Sequence, residues 1–221
     1  MRTDTLLLAL TCAALATACS SPPEAALTAD IAGIAEVKSS FGPEFTVTEL
    51  PPAGIDPKVL ANQKLPDGVR FDPPDCAKLA VGKEFPSDLK GNMAAVTAEG
   101  KGNRFITIAL ETSEPIALTD PGDQCAKVSF SGGALRGTVE VVPAPQISDA
   151  VTQGVHRVMQ TTIDGKHQTG EIYSYRAQFG VYQVIVTANP LVVPDKPVVA
   201  VDTERAESLL TYAVEAIRNS G

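Results

Sequence analysis

Two histidines and a short serine-rich stretch are the residues of this chain whose types could support catalysis. His156 and His167 lie on either side of Asp164-Gly165, a strong hairpin-turn signal, whereas zinc-binding histidines of a helix lie one helical turn apart. Ser129-Phe130-Ser131-Gly132-Gly133 lacks the G-x-S-x-G pattern of a nucleophile elbow and is predicted to form a turn. Because a catalytic triad needs a nucleophile, a base and an orienting group, we expect a non-catalytic protein without metal or cofactor. An enzyme hypothesis would use His156, which lies in a predicted strand.

Cys19 ends an N-terminal segment that has the plan of a secretory signal. Arg2 gives a positive start, and the apolar run over residues 6–18 is shorter than the roughly 20 residues of a membrane span. The run closes on Ala16-Thr17-Ala18-Cys19, which resembles the bacterial lipobox. The resemblance implies cleavage before Cys19 and acyl chains on its sulfur, and two or more chains anchor a protein stably. The open alternative is a freely secreted protein that is cut after Ala18.

The predicted organisation follows from this segment. Residues 1–18 are the signal peptide, residues 19–27 are the lipidated cysteine and a spacer, and residues 28–221 are a single domain. Ser20-Ser21-Pro22-Pro23 is polar and proline-rich, as expected of a spacer between an anchor and a domain. We expect the protein at the cell membrane, held by its lipid and facing the extracytoplasmic side.

Cys76 and Cys125 are the two cysteines that remain beyond the signal and the lipidation site. An exported domain folds under oxidising conditions, so we predict a disulfide between them. The bond closes a loop of about 50 residues, for which chain entropy gives a stabilisation of about 4 kcal/mol.

The charge of the chain argues against nucleic acid as a partner. Its 26 acidic and 18 basic residues give a net charge of −8 without a basic cluster. We therefore expect contact with the membrane through the anchor on Cys19, and an apolar small-molecule ligand or an envelope protein as the further partner.

The first part of the domain is predicted to contain short helices. Ile31, Ile34 and Val37 have helical spacing, and Thr28 is the predicted cap. Asp56 and Asp72 each precede a proline, a combination typical of a helix start.

The later part of the domain is predicted to form strands and a final helix. The predicted strands are residues 45–50, 93–98, 104–112, 135–142, 155–163, 171–179 and 181–188. Strands joined by hairpins are antiparallel. A helix capped by Asp202 or Thr203 carries an apolar stripe that must be buried against a sheet, namely Ala206, Leu209, Leu210, Ala213 and Ile217. We therefore predict an α+β domain: a twisted antiparallel sheet of about five to seven strands with helices packed on one face, including a C-terminal helix.

One predicted strand carries an aromatic face. Tyr173, Tyr175 and Phe179 alternate on one side, and Arg176 lies on the other. The aromatic residues either line a ligand site, with Arg176 marking a polar cleft, or form the core beneath the final helix. The sequence leaves both interpretations open.

Several segments together resemble a known group of proteins. They are Phe71-Asp72-Pro73-Pro74-Asp75-Cys76, the partner Cys125, Pro143-Ala144-Pro145, the strand pair over residues 171–189 and the closing helix over residues 206–217. The pattern resembles uncharacterised mycobacterial-type lipoproteins and is similar in plan to the extracellular sensor domain of PknH-type serine/threonine kinases. This resemblance implies an antiparallel sheet with helices and a cleft for a ligand.

The resulting hypothesis is an envelope-anchored lipoprotein with a non-catalytic ligand-binding or sensor-like domain. Its alternative is a structural or accessory subunit of a cell-envelope protein complex. A carrier of an apolar ligand should have a deep apolar cavity lined by Tyr173 or Phe179, and an accessory subunit should have an exposed apolar patch. An enzyme should bring titratable groups together in a cleft.

Overall fold

The computed structural model describes residues 28–55, 65–82, 89–163, 165–193 and 196–221. The predicted signal peptide, Cys19 and the spacer lie outside the described residues, as does the predicted helix start at Asp56-Pro57. Within the described part, no helix is long and apolar enough to cross a membrane.

The core of the structure is one antiparallel sheet of nine strands in the order β1-β3-β4-β9-β8-β7-β6-β5-β2. Its strands are β1 Phe45–Gly54, β2 Arg70–Asp72, β3 Gly91–Gly100, β4 Asn103–Thr112, β5 Lys127–Gly132, β6 Leu135–Val142, β7 Val151–Ile163, β8 Lys166–Phe179 and β9 Tyr182–Pro190. Most neighbours in the sheet follow one another along the chain, as hairpin connections require.

The predicted number of five to seven strands was wrong, because β2 and β5 were missed. The serines and glycines of β5 suggested a turn, but Val128 and Phe130 alternate with them and are buried. The turn lies one step later, at Gly133 with φ 57°. β2 has three residues and pairs only with β5, so its strand conformation comes from a long-range partner rather than from local sequence.

The long helix α2 (Thr203–Asn219) confirms the predicted C-terminal helix. Asp202 is its cap, since the carboxylate accepts a hydrogen bond of 3.0 Å from the backbone N–H of Arg205. The whole predicted apolar stripe is buried. It packs with the 3-10 helix η1 (Ile31–Ser40) against β4, β8 and β9. Asp30 rather than Thr28 caps η1, accepting from the N–H of Ala32 at 2.8 Å.

The prediction that the helices pack on one face of the sheet was also incorrect. The short helix α1 (Ala77–Val81) lies on the face opposite α2, where Ala80 packs with Val128, Phe130 and Val139. The disulfide holds α1 in this position. Cys76 directly precedes α1, and its partner Cys125 lies two residues before the start of β5. Two further 3-10 turns, η2 Pro74–Cys76 and η3 Asp123–Cys125, carry the two cysteines.

The two larger hydrophobic clusters therefore lie at opposite ends of the sheet and on opposite faces, and a third, smaller cluster of Met93, Leu110 and Ile185 lies opposite α2. We call the face that carries Tyr173, Tyr175 and Phe179 the helix face, and the other the disulfide face. On the helix face, η1 and α2 cover β1, β3, β4, β9 and the later half of β8. Beyond them, the helix-face side chains of β2, β5, β6 and β7 belong to no hydrophobic cluster except Val142 at the border.

Candidate functional site

The helix-face surface of β2, β5, β6, β7 and the first half of β8 is polar, and we call it the polar half. Successive strand residues point to opposite faces, so the pairing register defines which side chains lie side by side. Three cross-strand rows result. They are Tyr173-His156-Glu140-Lys127, then Glu171-Val158-Thr138-Ser129-Asp72, and then Thr169-Gln160-Arg136-Ser131-Arg70.

Three titratable side chains meet where the first two rows adjoin, namely Tyr173 and His156 of the first row and Glu171 of the second. His156 Nε2 lies 2.9 Å from Glu171 Oε1, and its ring stacks on Tyr173 with centroids 4.1 Å apart. Burial, followed by the charge of Glu171 and a hydrogen bond to that carboxylate, raises the pKa of Tyr173. Glu171 thus lies beside both rings, at the border between the polar half and the helix-covered core.

The other two rows border a shallow, solvent-open cavity of about 470 Å³. Its polar lining consists of Arg70, Asp72, Ser129, Ser131, Arg136, Thr138 and Gln160. Arg136 Nε donates to Gln160 Oε1 at 2.8 Å, which holds the guanidinium against the sheet. The strands that form the floor of the cavity are supported from behind, because Phe130, Val128 and Val139 pack together on the disulfide face.

The residues predicted from the aromatic strand have three different positions. Tyr175 and Phe179 are each 2% exposed and lie in the core beneath α2, whereas Tyr173 is half-buried at the border. Burial, then the charge of Glu207 on α2 and a hydrogen bond to it, raises the pKa of Tyr175 far above its ordinary value. Phe179 lies under the Arg218 guanidinium, 4.4 Å from its ring centroid.

Arg176 lies on the disulfide face, away from these aromatic rings. Burial lowers the pKa of its guanidinium, and the same cause, followed by the charge of Arg176, lowers that of Arg157. Arg157 donates to the carbonyl of Ala80 at 2.6 Å and so attaches α1 to the sheet.

The predicted disulfide between Cys76 and Cys125 is confirmed, with Cα atoms 5.3 Å apart. Both cysteines are buried in the cluster behind the polar half. The bond therefore links the segment between β2 and α1 to the start of β5. β2 and β5 are the two strands that the sequence did not reveal.

The sequence analysis considered His156 only for the enzyme hypothesis, and it missed the cavity residues Arg70, Arg136, Thr138 and Gln160. A signal was present, since polar residues alternate with Leu135, Val139 and Val141 along β6. Alternation identifies a solvent-facing side, but not which side other elements cover. Among the described residues, no group of three His, Cys, Asp or Glu side chains could hold a metal ion. The polar half offers hydrogen-bond donors and acceptors for a polar ligand.

Over the residues that the structure describes, the fold is an α+β domain with one antiparallel sheet and one disulfide. The chain belongs to the family described as a domain of unknown function (DUF5642), which matches residues 30–218. The X-ray structure of a putative uncharacterized protein from Mycobacterium smegmatis, an Rv0999 orthologue, is 62% identical with a TM-score of 0.82, covering 86% of this chain and 97% of that chain.

A second solved structure is more distant. The extracellular domain of PknH from Mycobacterium tuberculosis aligns over 86% of this chain and 93% of that chain, with 11% identity and a TM-score of 0.35. That likeness is too remote to assign a fold or a function. No curated protein matches the chain. The resemblance to uncharacterised mycobacterial proteins, with PknH as a distant neighbour, is confirmed by these comparisons.

Proposed function

We propose that this protein is an envelope lipoprotein, anchored through Cys19, whose domain binds a polar ligand on the polar half as a sensor-like, non-catalytic module. The observation that supports the proposal is the polar cavity itself. It lies on a sheet surface that a second layer could have covered, and a hydrophobic cluster and a disulfide make its floor rigid. A preorganised floor lowers the entropy that binding would otherwise cost.

A polar ligand fits the surface better than the apolar ligand considered from sequence. Tyr175 and Phe179, the residues expected to line an apolar cavity, are buried beneath α2. The hydroxyls of Ser129, Ser131 and Thr138 face the cavity. Hydrogen-bonding groups of this kind fix the orientation of a bound molecule.

The distance of the cavity from the N-terminal end of the domain supports a sensor-like role. The backbone N–H of Asp30 donates to the carbonyl of Ile217 at 2.8 Å, so the chain enters the domain at the C-terminal end of α2. Arg218 at that end contacts Phe179, the last residue of β8. Thr169 in the cavity row lies ten residues earlier in β8, about 33 Å away at the usual rise of a strand. The cavity therefore lies far along β8 from the point at which the chain enters the domain.

Native mass spectrometry of the full-length chain, purified from its own host in mild detergent, tests both parts of the proposal. The anchor predicts a polypeptide that starts at Cys19 and carries acyl mass, which Cys19→Ser removes. Ligand binding predicts an additional, non-covalent mass. Thr138→Trp, which fills the cavity, should abolish that mass, and Thr46→Trp on exposed β1 should retain it.

Two results would contradict the proposal. An unmodified N-terminus at Cys19 would exclude the anchor. A ligand mass that persists in Thr138→Trp, or no ligand mass in any sample, would exclude binding at the polar half.

The alternative of an accessory subunit is favoured by a different surface. Four exposed valines lie in the connection between β9 and α2, namely Val192, Val193, Val198 and Val199. Exposed apolar surface of this kind marks protein contacts. Photo-cross-linking in cells from position 192, with the exposed Val151 of β7 as the control position, distinguishes this function. A discrete adduct from 192 alone would support a subunit.

A further inference from the structure

Arg70 and Arg136 flank Ser131 in a single cross-strand row. Ser131 pairs with Arg70 in β2 and with Arg136 in β6, so all three side chains leave the sheet on the same face. Neighbouring strands are about 4.8 Å apart, which places the two arginine Cα atoms about 10 Å from each other. Two long side chains at that separation can contact one small group bound above Ser131.

The positive charge at this position is not neutralised within the described residues. The ion pairs among the described residues involve other arginines, lysines and His156, and none includes Arg70 or Arg136. Asp72, in the adjacent row, is the only acidic side chain among the cavity residues described. The charged residues that line the cavity, Arg70, Arg136 and Asp72, thus carry a net charge of +1 in a chain whose net charge is −8. A local excess of this sign attracts anions and repels cations.

Hydroxyl groups complete the surface. In the part of the chain that the structure describes, Ser129, Ser131 and Thr138 make no side-chain hydrogen bond within the protein, so all three can donate to a ligand. Arg136 uses its Nε for Gln160 and keeps its two terminal nitrogens for another acceptor. Paired guanidinium nitrogens match the oxygens of phosphate or sulfate, and serine and threonine hydroxyls are common additional donors.

We propose that the ligand of the polar half carries a tetrahedral oxyanion, a phosphate or sulfate ester, held between Arg70 and Arg136 above Ser131. This inference rests on the proposed function and names the chemical class that the cavity selects. The cavity volume of about 470 Å³ exceeds that of the anion alone, so the remainder of the ligand extends along the row of Thr138 and Ser129.

Equilibrium dialysis of the full-length chain in nonionic detergent against labelled inorganic pyrophosphate tests the proposal, with inorganic sulfate as the second probe. Arg70→Gln and Arg136→Gln should each weaken binding at least tenfold. Arg104→Gln is the matched control, because Arg104 pairs with Glu99 far from the cavity, and should bind as the wild type does. Unfolding midpoints of the three variants, all at exposed or half-exposed positions, verify that each remains folded.

Vesicles distinguish a soluble ester from a lipid headgroup. The Cys19→Ser chain, which lacks the lipidation site, is sedimented with phosphatidylglycerol vesicles and, for comparison, with phosphatidylcholine vesicles. Cosedimentation with phosphatidylglycerol alone, lost in Arg136→Gln, identifies a phospholipid headgroup as the source. Pyrophosphate binding without cosedimentation identifies a soluble ester.

Two outcomes would overturn the inference. One is the absence of binding to pyrophosphate, sulfate and both vesicles, and the other is binding that both arginine variants retain in full. A ligand mass that Thr138→Trp abolishes but Arg136→Gln leaves intact would retain the proposed function and refute only the oxyanion. If both Thr138→Trp and Arg136→Gln keep the ligand mass, the proposed function is refuted as well.

Discussion

The two halves of the helix face belong to one sheet and show the same alternation of side chains, but they have opposite roles. Around Tyr175 and Phe179, α2 and η1 cover the sheet, and the side chains are core. Around Thr138 and Arg136, two strands further along, the same face is open and polar. The hydrophobic layer of this second half lies behind it, on the disulfide face.

The difference shows how a two-layer domain can carry an exposed site without losing stability. Each part of a sheet must bury one hydrophobic face against another element. The face that is buried can change from one end of the sheet to the other. Here α2 stabilises one end, and the disulfide with α1 stabilises the other. The change of side leaves a sheet surface open to solvent, and each end can be weakened separately by experiment.

The largest effect is expected from Cys76→Ser combined with Cys125→Ser. Loss of a bond across 49 residues should lower the free energy of unfolding by about 4 kcal/mol. Urea unfolding measures the loss. Hydrogen exchange should accelerate first in β2, β5 and β6, while β4 and β9 beneath α2 stay protected. Uniform acceleration over both halves would contradict their separate stabilisation.

Leu210→Ala tests the helix-covered half. Leu210 is fully buried between α2 and the sheet, and truncation of such a residue costs about 3 kcal/mol. The control is Leu50→Ala at an exposed β1 position, for which the change should stay within about 0.5 kcal/mol. Chemical unfolding of both variants provides the comparison. Equal losses would show that the packing of α2 is not what stabilises this half.

Tyr175→Phe tests the polar contact within the core, and we expect a loss of about 1 kcal/mol at neutral pH. Because the folded pKa of Tyr175 is raised, its contribution is present below the unfolded tyrosine pKa of about 10 and is lost as the pH rises above it. The stability of the wild type should therefore fall more steeply above pH 10 than that of Tyr175→Phe. Unfolding curves between pH 8 and the alkaline limit of folding measure this, and identical slopes would refute the buried phenol as the cause.

The smallest effect on stability, with a large effect on binding, is expected from Thr138→Val. The side chain faces the open cavity and has no hydrogen-bond partner among the described residues, so stability should change by less than about 0.5 kcal/mol. Loss of its hydroxyl should weaken retention of the copurified ligand in native mass spectrometry. Thr46→Val on β1 is the control and should change neither property. A stability loss as large as that of Leu210→Ala would place Thr138 in the core.

Hairpins account for the part of the fold that the sequence predicted well. Gly165 has φ 73°, as the turn between β7 and β8 requires, and the flanking strands alternate visibly. The final helix carries its own cap and apolar stripe. These signals are local, so they can be identified before any tertiary contact is known.

The candidate site could be predicted only in part. His156 was singled out as a strand histidine, but its contacts with Glu171 and Tyr173 depend on the register of two strands. Arg70 and Ser131 lie in strands that only their mutual pairing, and the disulfide beside it, stabilise. Long-range pairing leaves no periodic signal in three residues of sequence.

By itself, the sequence determined the α+β class, the cysteine pair and the aromatic strand face, because residue type and spacing fix what each segment can bury. The tertiary structure decided which half of that face α2 covers, and thereby which residues became core and which became a polar cavity. The physical reason is that an amphipathic helix specifies how much apolar surface it needs, whereas the position of that surface depends on the whole sheet.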